Sequence, residues 1–341
     1  MKQLRQRYNN LRFFIQEYIS IINHCYSQNV SKRYFIRQCW RIDDPSYDIL
    51  SSAWISYEVL DLENFLFFFF MPWFFFKAGM FWKMDSIKNV VVKGYCRLLK
   101  PFIIFSIIGH LCFCIRLFVE RDYNWVHYVL SPFKALLRYG CVAGNEPLWF
   151  LLSLFVIRVL YTLCANYKIH FVIVLFVTAL VGFLCNLYAP ITEPRYLGNV
   201  STGLFFFTMG NWLSNRTLEV DGKIQFIIAI TLILYIVYPS AVDLFYNKVL
   251  YGSYFIWMIH SVLCIITINY LFRRYPMIDV VGLKYVGRDS MIYFVIHRLI
   301  IYSVQSFFIY LGYDEINIPE FWTALILSII ILPLAAKYIK V

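Results

Sequence analysis

The stretch FLFFFFMPWFFFKAGMFW, residues 65–82, decides the fold. Eighteen residues pass with a single charge, Lys77. A helix of that length crosses a hydrocarbon core about 30 Å thick. No soluble domain hides so many aromatic rings in one uninterrupted run. Five basic residues follow within the next eighteen: Lys83, Lys88, Lys93, Arg97 and Lys100. A second apolar run then opens at Pro101. The chain therefore dips through a membrane, turns in a basic loop and dips again. By the positive-inside rule that loop faces the cytoplasm.

Composition agrees. The chain has 341 residues, of which 61% are apolar and 15% charged. Such a balance belongs to a polytopic membrane protein. The net charge of +11 sits in short loops between apolar runs rather than on one soluble face, which excludes nucleic acid as the partner. Nine cysteines fall mostly inside apolar runs, with no CxxC pair and no metal spacing. They read as small packing residues, and no metal is expected. The first residues are basic, but no apolar core with a small-residue cleavage site follows, so no removable signal peptide is expected.

Outward from the central stretch, apolar runs recur at Pro101–Val119, Pro147–Ala165, His170–Ala189, Leu197–Ser214, Ile224–Leu244, Tyr251–Phe272, Ser290–Leu311 and Phe321–Tyr338. Phe13–Ile22 is a weaker run, broken by Gln16 and Glu17. It reads as a poor first span or as an interfacial amphipathic helix. Val126–Tyr139 is short and amphipathic and is assigned to the surface. The expected fold is all-α: a transmembrane bundle of about ten helices, both termini cytoplasmic. Residues 1–64 hold the weak first helix and a polar loop, and 65–341 the core bundle. Loop charges carry the orientation, since Lys83 to Lys100, Lys168, Arg216, Lys223, Arg273, Arg274, Lys284 and Arg288 all fall on one side. The segment 25–64 is the exception, assigned outside yet carrying Lys32, Arg33, Arg37 and Arg41.

Ionisable groups at bilayer depth are costly, so each is a site candidate. Arg158 lies two turns from the cytoplasmic end of its helix. His110, His260 and His297 lie near the middle of theirs. Arg298 follows His297 directly, about 100° round the helix. Lys77 is near enough to the end of its run to snorkel. His110 and His260 read first as neutral histidines bonded to a neighbouring helix.

Four strings, in order, resemble the acyltransferase-3 family of integral membrane O-acyltransferases. They are FFMPWFFFKAGMF, the connector RLLKPF, NEPLWFLLSLF and VGRDSMIYFVIH. STGLFFFTMG, residues 201–210, is similar to a later Gly-terminated helix of that family. The resemblance covers roughly residues 60–335 and implies a single transmembrane domain that acylates, mostly acetylates, bacterial surface sugars. It further implies acyl-CoA, acetyl-CoA first, as donor, and an envelope glycan or lipid-linked glycan as acceptor. Membrane lipid surrounds the chain, and the bacterial cytoplasmic (inner) membrane is its location. In the family's first helix an Arg and, after ten residues, a His form the expected base motif. The nearest match here is Arg12 and His24, with eleven residues between. The family's paired-arginine connector becomes Arg97 and Lys100, and Ala78 stands where a serine is usual before Gly79.

Acyl transfer to a hydroxyl needs a base, donors for the tetrahedral oxyanion, and cations for the donor's phosphates. The resemblance assigns His24 as base and His297 as the group that orients or stabilises within the cavity. Arg97, Lys100 and Lys93 in the basic connector are the expected phosphate ligands, and Arg158 is a further anion-binding candidate. Two other readings stay open. One is a transporter or flippase for an anionic or lipid-linked solute, with Arg158 and the mid-membrane histidines lining its path. The other is a catalytically inactive relative. A transporter often shows paired Gly/Pro-broken helices in matching halves. Here the helix holding Pro72 and Gly79 has no clear mate.

Overall fold

The computed structural model describes residues 69–188, 196–214, 223–245, 248–274, 290–313 and 318–338, all in one unit of the chain. The weak first helix, the polar loop up to residue 64 and His24 lie outside the described residues. What is described is mostly helical, as expected, and five helices are long and apolar enough to cross a membrane. They are Ile87–Val119, Glu146–Asn166, Tyr254–Arg274, Ile292–Tyr310 and Pro319–Tyr338, and Phe171–Leu187 and Ile224–Val237 are shorter apolar helices.

The opening aromatic run forms α1, residues 69–80. The basic connector is not a loop. Ser86 caps α2 (Ile87–Gly94) by accepting from the Asn89 N–H. A π-turn, Tyr95–Leu99, then leads without a break into α3 (Lys100–Val119). Pro101 has no N–H to donate, and its ring would collide with the carbonyl four residues back in a regular helix. The wider turn just before it, with the Lys100 N–H reaching the Tyr95 carbonyl, makes room for that ring. Basic residues and a proline suggested a loop, yet each is compatible with a helix here. One face of α3 is exposed through Ile104, Ile107, Ile108, Leu111, Ile115 and Phe118. That apolar stripe is what a lipid-facing helix presents.

Two short helices follow, α4 (Trp125–Val129) and α5 (Ser131–Tyr139), then a buried non-helical segment ending in a 3-10 turn at Glu146–Leu148. The remaining helices are α6 (Trp149–Asn166), α7 (Phe171–Leu187), α8 (Tyr196–Ser214), α9 (Ile224–Val237), α10 (Tyr254–Arg274), α11 (Ser290–Tyr310) and α12 (Ile318–Tyr338). One antiparallel hairpin, β1 (Ala241–Asp243) with β2 (Lys248–Tyr251), departs from the all-α expectation. The sequence had carried the preceding helix to Leu244. It ends at Val237, because Pro239 cannot continue it. Gly252, at φ +76°, turns the chain out of the hairpin towards α10.

The centre of the bundle is a parallel trio, α1, α6 and α8. The Phe75 ring lies 4.9 Å from that of Phe150 near the start of α6, and Trp82 lies 4.9 Å from Tyr161 near its end. A Cβ built on Gly79 would stand 1.9 Å from the Phe207 carbonyl oxygen, and one on Gly210 would stand 2.0 Å from that of Phe76. Backbones of α1 and α8 therefore touch at two glycines. Without a hydrophobic drive inside lipid, close backbone contact of this kind is what holds helices together. Asn211 adds polar links, donating to the Gly79 carbonyl at 3.3 Å and accepting from the Tyr161 hydroxyl at 2.8 Å.

Candidate active site

Two polar regions stand at different heights in the bundle. The lower is the basic end. Gly94 of α2 packs on Phe155 of α6, where a Cβ would meet the ring at 2.8 Å. This contact sets α6 level with the connector rather than with α3. It brings Arg158 beside Arg97, near enough for their charges to repel. The two like charges, with Arg97 and Lys100 both exposed, form a cationic surface with no carboxylate paired to either guanidinium among the described residues. Lys93 differs, because its Nζ pairs with Asp85 at 2.6 Å. Lys77 on α1 lies 6.0 Å from the centre of the Trp73 ring, a cation held on an aromatic face.

The hydrogen bond from Lys93, with a further one from Asn89, holds the exposed Asp85 carboxyl down at about 2. Its folded value is depressed. The pairing is therefore intact above the ordinary carboxylate value near pH 4 and is lost as pH falls through about 2. A carbon-13 titration of the Asp85 carboxyl should give a midpoint near 2 in the wild type. In Lys93→Ala it should return towards about 4, and an unchanged midpoint would remove Lys93 as the cause.

The upper region is built from irregular backbone. Every residue from Tyr139 to Leu151 is buried. Gly140 and Gly144 take φ of +71° and +95°, which lets the chain turn sharply back into the bundle. Gly144 comes so close to α3 that a Cβ on it would lie 2.0 Å from the Gly109 carbonyl oxygen. Gly109 is at the middle of α3, so the segment re-enters to half the depth of that helix. Non-helical backbone at such depth is tolerated where protein buries it or where it lines a cavity.

Two bonds fasten the segment to α11. Asn145 Nδ2 donates to the Val295 carbonyl at 2.9 Å. Arg298 Nε donates to Glu146 Oε2 at 2.9 Å, with the two side chains 1% and 6% exposed. A second pair lies further along α3, Arg116 with Glu120 at 2.7 Å. The Arg116 guanidinium also sits 5.2 Å from the Tyr302 ring centre. Tyr302 in turn feels the charges of Arg116, Glu146, Glu120 and Arg298. These five side chains are one connected cluster.

His297 is buried on α11 but faces elsewhere, about 200° round the helix from Val295. Its Nδ1 lies 3.0 Å from the Tyr293 carbonyl, which can only accept, so Nδ1 carries the proton. Nε2 is then the ring's lone pair. His110 Nε2 donates to the Tyr128 carbonyl at 2.9 Å, and His260 bonds the Thr231 backbone on α9. No disulfide joins any described cysteine, and no cluster of metal-ligating side chains occurs among the described residues.

A family model described as an acyltransferase domain, acyltransferase-3, matches residues 39–337. The chain belongs to the acyltransferase-3 family. Searches of curated proteins and of solved structures found no match. With its membrane-length helices, this acyltransferase-3 protein is an integral membrane protein. The family match begins after both Arg12 and His24.

Of the residues singled out from sequence, the acyltransferase-3 bundle brings Arg97 and Arg158 together. It leaves Lys100 exposed beside them, and it engages Lys93 with Asp85. His297 lies apart from this basic end. Sequence reading named Arg298 but missed Glu146, Asn145, Arg116 and Glu120. A usable signal was present in NEP, residues 145–147, where two polar residues and a helix-breaking proline open an apolar run. It reads as a family-like string and as the entry to a helix, and neither reading names an ion-pair partner.

Proposed function

We propose that this membrane protein transfers an acyl group, acetyl first among them, from acyl-CoA to a hydroxyl of an envelope polysaccharide or of its lipid-linked precursor. Family membership supports the reaction class, and the pairing of Arg97 with Arg158 supports the donor site. Two neighbouring guanidinium groups repel each other until an anion lies between them. Coenzyme A brings several phosphate charges, and Arg binds phosphate through two parallel hydrogen bonds. Lys100 extends the same surface, and Lys93 joins it once it leaves Asp85. Ten crossings with both termini cytoplasmic, in the bacterial inner membrane, put this end where acyl-CoA is found.

In the reaction, the acceptor oxygen attacks the thioester carbonyl carbon while a base takes the hydroxyl proton. The tetrahedral intermediate collapses to the ester, the carbon–sulfur bond breaks, and the thiolate leaves with a proton. His24 is the base in this reading. His297 orients or stabilises.

The test is transfer from labelled acetyl-CoA in membranes of cells that make the native envelope glycan. Arg97→Ala and Arg158→Ala each remove charge-assisted bonds worth about 1.5–3 kcal/mol, so KM for acetyl-CoA should rise about 10- to 150-fold. An unchanged KM in both would move the donor elsewhere. Label lost in His24→Ala supports its role, and label retained there moves the base to His297 or His110. No label from the wild type, with glycan and donor present, favours a transporter or an inactive relative.

A further inference from the structure

We propose that α4 and α5 form a membrane-docking hairpin whose occupant is phospholipid. Acyl chains lie against one arc of α5 and headgroup phosphates against the next, in the leaflet away from the basic connector. The proposal rests on the chain being an integral membrane protein and is independent of acyl transfer.

Depth is the first observation. His110 stands about 14 Å short of the end of α3, by the rise of a helix. Its Nε2 donates to the carbonyl of Tyr128, at the end of α4. Beyond α5, Gly144 meets Gly109, the neighbour of His110. The hairpin is therefore pinned near both its ends to the middle of α3. From that level onward α3 still exposes Leu111, Ile115 and Phe118. The Phe118 ring lies 6.2 Å from that of Tyr123, so the lipid-facing stripe of α3 runs on into the turn before α4. A leaflet that covers Phe118 covers the hairpin below it.

The second observation is how α5 divides. Successive residues turn about 100° round a helix. Leu130, Phe133 and Leu137 share one arc and are all exposed, Phe133 by 64% and Leu137 by 69%. Lys134 and Arg138 share the next arc. Ala135 and Tyr139 share the third and are buried against the bundle. Trp125 and Val129, one turn apart on α4, extend the exposed apolar surface. No acidic residue occurs between Trp125 and Tyr139. An apolar arc bordered by a basic one marks a helix at a membrane boundary, where long basic side chains reach up to the phosphates. A second copy docked by the same face would set one basic arc near another, with no acid on either to answer it.

The backbone supplies the third. A helix end leaves carbonyls without intrahelical partners, and on a wet surface water serves them. At the end of α4 the protein serves them itself. The Leu130 N–H donates to the Val126 carbonyl at 3.0 Å, the Ser131 hydroxyl to that of His127, and His110 to that of Tyr128 at 2.9 Å. Acyl chains offer no donor, so backbone beside them must be paired within the protein.

The experiment reads tryptophan emission from the full-length chain in phospholipid vesicles. Phe133→Trp adds an indole to the exposed arc of α5, and the emission lost in Trp125→Phe reports α4 with α5 unaltered. The quenchers are brominated acyl chains in the bilayer and iodide in the water. Both signals should be quenched by the brominated chains and spared by iodide. Quenching by iodide would place the face in water. Quenching by neither would mean that protein covers it, a second copy included. Either result overturns the proposal. Headgroup contact is read by confining bromine to a minor fraction of phosphatidylglycerol or, separately, of phosphatidylcholine. The anionic lipid should quench the signal added by Phe133→Trp with about fivefold higher apparent affinity, the worth of one basic residue near an anionic surface. Adding Lys134→Gln should reduce that preference. Equal quenching by the two lipids, or a preference that survives Lys134→Gln unchanged, overturns the phosphate contact.

Discussion

Arg298→Ala should destabilise the protein by about 3–5 kcal/mol, the cost of leaving one half of a buried ion pair behind. The stranded group is Glu146, 5% exposed and set in backbone at mid-helix depth. Water cannot reach it to replace the guanidinium. Most of the loss is this uncompensated charge rather than the intrinsic strength of the pair. The double variant Arg298→Met with Glu146→Gln should therefore recover most of the stability, because a neutral pair costs far less to bury. Denaturant unfolding of the purified chain in micelles checks both. A single variant that unfolds like the wild type would mean that the pair is not buried.

Gly79→Ala and Gly210→Ala should each cost the upper end of about 1–3 kcal/mol, or more. At both glycines the atom in the way is a backbone oxygen, at 1.9 Å for Gly79 and 2.0 Å for Gly210. A side chain could swing aside, but a carbonyl inside a helix cannot move without moving the helix. The clash arises at the first carbon. Valine should therefore be only moderately worse than alanine, unlike an ordinary core site where cost climbs with each added group. Thermal unfolding of the Ala and Val variants at each position tests this. A Gly79→Ala midpoint equal to that of the wild type would separate α1 from α8.

Much of the bundle is legible in the chain because a bilayer demands long apolar runs. The expected run Ser290–Leu311 is the helix Ser290–Tyr310, and Pro101–Val119 is Lys100–Val119. Charge misled where it stood for location rather than shape. The basic connector reads as a loop because lysine and arginine mark the cytoplasmic side, yet those residues are good helix formers and the π-turn accommodates Pro101. The hairpin escaped because its strands are only three and four residues long. The basic half of the site was visible as an electrostatic pattern. Its other half was not, since Glu146 and Arg298 are 152 residues apart and nothing local in either segment names its partner.

That separation has a consequence for how the protein is made. With chains growing at about 5–20 residues per second, Glu146 waits about 8–30 s for Arg298 to be synthesised. Helices α1, α6 and α8 are complete by Ser214, so the trio can assemble while the re-entrant carboxylate still lacks its counter-ion. The opposite half of the bundle closes last, on arrival of α11 and then α12. A chain that stops before α11 carries an intramembrane acid without its Arg298 partner, a chemical flag by which membrane quality control can tell an unfinished molecule from a finished one.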